Sequence, residues 1–172
     1  MLAPTLRTER LTLCPPSPGD LDAMTAMFAD PRVHGPITGT PMTREDAWSR
    51  ILRYHGHWQV CGYGTWHVHA DGVFAGTVGM MDSRRATTPG FEGTPEVGWV
   101  LRAETHGRGY ATEAVTALLA WADAEGHART VCIIDPANTP SIRLAERLGY
   151  HLVTQATYRD KPTLLFDRPA KG

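Results

Sequence analysis

The sequence predicts a single mixed α+β domain, and three observations carry that reading. Short apolar runs with period two recur between turn residues. Two of them, Tyr63–His69 and Val73–Met81, are joined by Ala70-Asp71-Gly72 as a hairpin. One long amphipathic helix, Gly109–Glu125, links two strand-like runs as a crossover. The order read along the chain is β-α-α-β-β-β-α-β-α-β-β. At 172 residues with 42% hydrophobic content, the chain supports one proper core. Residues 1–172 are therefore expected to form one domain.

Each element has a local cause. Arg10-Leu11-Thr12-Leu13-Cys14 alternates as a strand that Pro15-Pro16 stops. Ser17-Pro18 reads as an N-cap with proline at the first helical position, and Leu21, Met24, Met27 and Phe28 follow at helical spacing to about Asp30-Pro31. Val33–Met42 is rich in Gly and Pro, has no period and reads as a loop. Thr43-x-x-Asp46 is a capping-box relative heading a helix whose face carries Ala47, Ile51, Tyr54 and Trp58. Trp48 is assigned with Tyr54 and Trp58 to the core. Arg84–Gly93 reads as a polar connection before a strand over Thr94–Leu101. In the Gly109–Glu125 helix, Ala111, Val115, Leu118, Leu119 and Ala122 hold one face, and Gly126 closes it. Arg129–Ile134 is apolar enough for a strand buried on both faces. A helix over Asn138–Leu148 and strands over Tyr150–Thr157 and Thr163–Asp167 complete the chain.

Composition excludes several functions. A net charge of −1 gives no field to recruit nucleic acid or an anionic membrane. Cys14, Cys61 and Cys132 are odd in number and lack CxxC spacing, which suits a reducing compartment and no zinc site. The charged start at Met1–Arg10 lacks a signal peptide's apolar run, and no stretch approaches the ~20 apolar residues of a membrane span. A cytoplasmic protein is expected. His67 and His69 share a strand face, and His55 and His57 sit close together; without ligand carboxylates at suitable spacing they are expected as exposed histidines rather than a metal centre.

The chemistry is concentrated around His106-Gly107-Arg108-Gly109-Tyr110-Ala111-Thr112. A helix begins inside this segment, so backbone N–H groups without intrahelical partners and the positive end of the dipole face outward. Gly107 and Gly109 leave room for an anion to reach the main chain. A glycine-containing helix start that binds nothing is the plain alternative. A Walker loop is excluded by the missing Gly-Lys-Ser/Thr. A Rossmann fingerprint fits poorly, because Thr112 stands where a third small residue belongs and the turn follows half the chain and a hairpin.

The third phosphate binder fits. The segment His106–Thr112 with Glu113-Ala114 resembles the acetyl-CoA turn of the GNAT acetyltransferase superfamily, with His106 where Gln or Arg is commoner. Glu96-Val97-Gly98-Trp99 resembles that family's preceding strand, and Asn138-x-x-Ser141 with Arg147-Leu148-Gly149-Tyr150 resembles its next motif. Leu6-Arg7-Thr8-Glu9-Arg10-Leu11-Thr12-Leu13 is similar to the opening strand of the Rim-type branch, the ribosomal-protein N-terminal acetyltransferases and their relatives. The likeness runs from about residue 5 to residue 168.

The resemblance implies a mixed central sheet of about seven strands, splayed in the middle, with about four flanking helices. It implies acetyl-CoA as cosubstrate, with His106–Thr112 on its diphosphate, Trp99, Val100 and Leu101 along the pantetheine, and Asn138 and Ser141 contributing further contacts. Gly98 would permit a local bulge. The acceptor would be an amine, on a peptide N-terminus or a small molecule, and the assembly a monomer or homodimer. Glu96 is the candidate general base. Many relatives carry a tyrosine acid four residues before the Gly149 position; here that residue is Ala145, so Ser141 is the candidate donor to the departing thiolate. Each has a plainer reading: a strand-end carboxylate for Glu96, helix caps for Asn138 and Ser141. A small-molecule acetyltransferase and a non-catalytic CoA-binding module remain the alternatives.

Overall fold

A computed structural model describes residues 3–127 and 129–169. Among the described residues, nine strands form one mixed sheet, with five α-helices. The chain divides into two compact units, the first running to Gly79 and adding Trp99–Leu118, the second comprising Met80–Gly98 and the chain from Leu119.

In the first unit, strands β1 (Leu6–Arg7), β2 (Leu11–Cys14), β3 (Thr65–Ala70) and β4 (Val73–Met81, to Gly79) run as antiparallel neighbours. Their register sets Cys14 opposite His67 and Val68 opposite Gly76. A 3-10 turn, Pro18–Asp20, capped by the Ser17 hydroxyl, leads into α1 (Leu21–Ala29). Helix α2 (Pro31–His34) is one turn long, and α3 (Arg44–Cys61) opens with the complete capping box. The Thr43 Oγ1 accepts from Asp46 N at 3.1 Å, and Thr43 N donates back to Asp46 Oδ2 at 2.9 Å. Such a cap is worth about 1 kcal/mol. Leu21, Met24, Met27, Phe28, Ala47, Ile51, Tyr54 and Phe74 bury one another as this unit's core.

The second unit holds β5 (Thr87–Thr88), the start of β6 (Glu96–Leu101), β7 (Thr130–Ile134), α5 (Thr139–Arg147), β8 (His151–Tyr158) and β9 (Lys161–Arg168). Strands β7, β9, β8 and β5 are successive antiparallel neighbours. Helix α4 (Tyr110–Ala124) begins in the first unit and ends in the second. Of the five residues the helical spacing assigned to one face, Val115, Leu118, Leu119 and Ala122 are buried and Ala111 is half-buried; Ala114, which the spacing left out, is buried as well.

Several expectations need correction. The sheet has nine strands rather than about seven, because β1 and β5 are two-residue strands too short for periodicity to reveal. The fifth helix, α2, is likewise a single turn whose Asp30 cap and Pro31 lay at the border of the aperiodic stretch. Trp48 stands 39% exposed rather than in the core. His67 is fully buried, and both it and His69 donate to Asp20, at 2.7 and 3.0 Å. An acceptor-only carboxylate fixes the Nδ1–H tautomer of His67 and the Nε2–H tautomer of His69. Their other ring nitrogens, His67 Nε2 and His69 Nδ1, are buried without partners. Among the described residues, no group of three or more His, Cys, Asp or Glu side chains is arranged to hold a metal ion.

Candidate active site

Strand β6 ends at Leu101, and Arg102 carries the chain into a 3-10 turn, Ala103–Thr105. The end of β6 is fixed by close backbone approach. Arg102 N donates to Ala75 O at 2.9 Å, and a Cβ on Gly76 would overlap Val100 O and Leu101. Only glycine lets the two backbones meet there. His106 then turns back on the strand, its Nε2 lying 3.0 Å from Leu101 O. Because a carbonyl only accepts, Nε2 carries the proton. The imidazole at the position usually held by Gln or Arg therefore ties the turn to the strand end.

Gly107 and Gly109 have φ of 75° and 79°, in the left-handed region that glycine enters without penalty. Residues 106–109 are exposed, and nothing lies within 4 Å of the place a Gly107 Cβ would take. The first bond of α4 runs from Glu113 N to Gly109 O at 3.1 Å. The N–H groups of Tyr110, Ala111 and Thr112 thus precede the helical ladder, at the positive end of a 15-residue helix. This is the geometry of an anion site.

The turn is braced by the connection between β1 and β2. Thr8 Oγ1 donates to Glu113 Oε1 at 2.6 Å, and Arg10 N donates to the same oxygen at 2.9 Å. Arg10 Nε reaches Glu113 Oε2 at 2.7 Å, and Arg10 Nη1 donates to Arg108 O at 2.9 Å. The guanidinium carbon lies 4.9 Å from the Tyr110 ring centroid. The sequence placed Thr8 and Arg10 in a motif but gave them no partner, since the contact spans more than 100 positions.

On the second unit, Glu96 opens β6 with only 4% exposure. Both its oxygens are occupied: Arg85 Nε donates to Oε2 at 2.6 Å and Arg85 Nη2 to Oε1 at 2.9 Å. Arg85 also stacks on Tyr158, 4.9 Å from the ring centroid. Burial alone would lower the Arg85 pKa, but the hydrogen bond and charge of Glu96 prevail and raise it. Sequence reasoning missed Arg85, which lies in the stretch read as a polar connection. The one available signal was the strand-opening Glu96 itself, a carboxylate beside apolar Val97 that burial obliges to find a cation. The parallel register of β6 with β7 holds a single pair, Glu96↔Val131, reinforced by Val131 N donating to Pro95 O at 3.0 Å. Gly98 has no positive φ, and Met81 Cε would lie 3.2 Å from a Cβ there.

At the head of α5, Asn138 Oδ1 accepts from Ser141 N at 3.2 Å, so Asn138 does cap the helix. Ser141 is half-buried in the first turn. Ala145 is fully buried. Tyr150 offers no substitute acid: its hydroxyl is buried at 2.8 Å from Thr130 Oγ1, and burial pushes its pKa up. Trp99, Val100, Leu101 and His106–Thr112 are thus contiguous in the first unit, while Glu96, Asn138 and Ser141 belong to the second.

Residues 10–151 match the acetyltransferase (GNAT) domain family. A protein described as a GnaT-family acetyltransferase from Bordetella pertussis is 33% identical, with a TM-score of 0.85 over 96% of this chain and 99% of its own. The Salmonella typhimurium acetyltransferase that modifies the N-terminal serine of ribosomal protein L7/L12 shares the fold at 14% identity, with a TM-score of 0.78 over 95% of this chain and 97% of its own. The uncharacterized protein YkkB of Bacillus subtilis (strain 168) is 34% identical over 74 residues, 42% of this chain and 43% of that protein. The chain thus matches less than half the length of that curated relative.

Proposed function

Because this chain belongs to the GNAT acetyltransferase family, we propose that it moves an acetyl group from acetyl-CoA directly to a primary amine, on a peptide N-terminus or a small molecule. The observation that carries the reading is the turn at Gly107 and Gly109. Its two left-handed glycines open the head of α4 to an anion directly after the end of β6. The family match across residues 10–151 spans both units, which supports taking 1–172 as one acetyltransferase domain.

In this reading the amides from Gly107 to Thr112 hold the CoA diphosphate, with His106, Arg108 and Tyr110 shaping the turn. Trp99, Val100 and Leu101 pair with the pantetheine in the manner of an added strand. Asn138 orients the cosubstrate. The amine nitrogen attacks the thioester carbonyl, the C–S bond breaks, and the ammonium proton passes to a base while the thiolate is held by a donor. Ser141 is that donor. Glu96 is the proton acceptor, provided one of the two Arg85 contacts opens. That demand is small for an α-amine of pKa near 7.7–8.0, and large for a lysine-like amine of about 10.4, which is neutral about once in 10³ molecules at pH 7. The buried, doubly paired Glu96 therefore favours an α-amine acceptor. The acceptor enters by the loop from Asp30 to Thr40, next to a hollow of about 270 Å³ lined by Met42, Arg50 and Arg53.

The test is thiol release from acetyl-CoA across a panel of free-N-terminal peptides, amino acids, aminoglycosides and lysine-like amines. Release with an α-amine at a rate well above that with lysine-like amines is the expected result. Micromolar CoA binding with no turnover on any amine would instead establish the non-catalytic CoA-binding reading, which the alanine at position 145 favours.

A further inference from the structure

Glu113 stands in the first turn of α4. Its charge suits the helix dipole but conflicts with a second anion. A diphosphate drawn to the turn at Gly107–Gly109 would meet a like charge about one helical turn away. The structure answers that carboxylate with donors from the connection between β1 and β2. Thr8 Oγ1 and Arg10 N take Oε1, while Arg10 Nε and Nη2 take Oε2, at 2.7 and 2.6 Å. Burial would raise the Glu113 pKa, yet the hydrogen bonds from Thr8 and Arg10 hold it below the ordinary carboxylate value. Arg10 also touches the turn itself, through Arg108 O and with Nη2 3.4 Å from the place of a Gly109 Cβ.

We propose that Arg10 is a charge-compensating positioning residue of the diphosphate turn, holding the Glu113 carboxylate in an internal ion pair so that the turn presents positive potential to the CoA diphosphate. The inference rests on the CoA reading above. It has a consequence that a purely structural clamp lacks. A clamp fails alike whichever partner is removed. Charge compensation is asymmetric: Arg10→Gln leaves the Glu113 charge uncompensated beside the anion, though still hydrogen-bonded by Thr8 Oγ1 and the residue-10 N–H, whereas Glu113→Gln leaves an uncompensated guanidinium.

Calorimetric titration of the full chain with CoA at low salt tests this. Arg10→Gln should weaken binding about tenfold. Glu113→Gln should bind at least as tightly as the unaltered chain, and the double variant should recover most of the loss. Raising salt from 50 to 300 mM should shrink the Arg10→Gln defect. Arg10→Lys, which keeps the charge if Arg10→Gln proves poorly folded, should stay within about threefold of the unaltered chain. Equal weakening by both single variants without recovery in the double, or a loss with Arg10→Lys as large as with Arg10→Gln, overturns the proposal. Unaltered protein that binds CoA but is indifferent to Arg10→Gln overturns it too, whereas unaltered protein that binds no CoA overturns the underlying cosubstrate reading.

Discussion

Replacing Arg85 with methionine strands a buried carboxylate. The Glu96 side chain is 5% exposed, and Arg85 donates to both its oxygens, at 2.6 and 2.9 Å. Removing one member of such a pair costs about 3–5 kcal/mol, because the remaining charge keeps its desolvation penalty and loses its compensation. Each kcal/mol lowers the melting temperature of a chain this size by about 2–4 °C. Arg85→Met should therefore melt roughly 10 °C below the unaltered protein, or somewhat more. Replacing both groups, Arg85→Met with Glu96→Leu, removes the buried charge altogether and should recover most of that loss. Thermal melts by circular dichroism, with urea midpoints as a second measure, report both variants. A loss under about 1 kcal/mol for the single variant, or a double variant no better than the single, refutes the claim that the pair is a desolvated ion pair.

Three further outcomes follow from the site and the core. Gly109→Val forces a β-branched residue to φ 79° at the head of α4 and should abolish CoA binding; retained micromolar binding overturns the diphosphate assignment. Glu96→Gln should slow turnover by about 10²-fold or more while leaving CoA affinity unchanged, and an unaltered rate removes Glu96 from the chemistry. Burial holds the His67 pKa below its ordinary 6.5, with Asp20 opposing that shift and His69 and His55 adding to it. The unfolded chain then binds the proton first as pH falls through about 6.5, so stability should decline from there toward the lower folded value. Urea midpoints from pH 7.5 to 5 should show that slope, and His67→Gln should flatten it; a slope that persists in the variant assigns it elsewhere.

What could be read from the sequence was what depends on near neighbours. The capping box at Thr43 and Asp46, the hairpin turn at Asp71-Gly72 and the apolar face of α4 each lie within a few residues, so local chemistry decides them. The turn at Gly107 and Gly109 is local as well, which is why a glycine-containing helix start was legible there. Strand β5 escaped because Thr87 and Thr88 are extended only through pairing with Tyr158 and Thr157, some 70 positions on. The burial of His67 escaped for a related reason. Its spacing with His69 was visible, but the acceptor that stabilises both, Asp20, was legible only as a residue in a helix start. Glu96 was legible as the carboxylate that opens a strand. Its commitment to Arg85 depended on how a loop without periodicity folds back.

The brace between Thr8 and Glu113 joins residues 105 positions apart. On the ribosome the connection between β1 and β2 therefore emerges long before the helix head it supports. At 5–20 residues per second that interval is about 5–20 s. Until Glu113 arrives, Arg10 and Thr8 face solvent and the glycine turn does not yet exist. The braced glycine turn is thus among the later features of the nascent first unit to mature, and its completion marks the point at which the two ends of that unit's sequence have found each other.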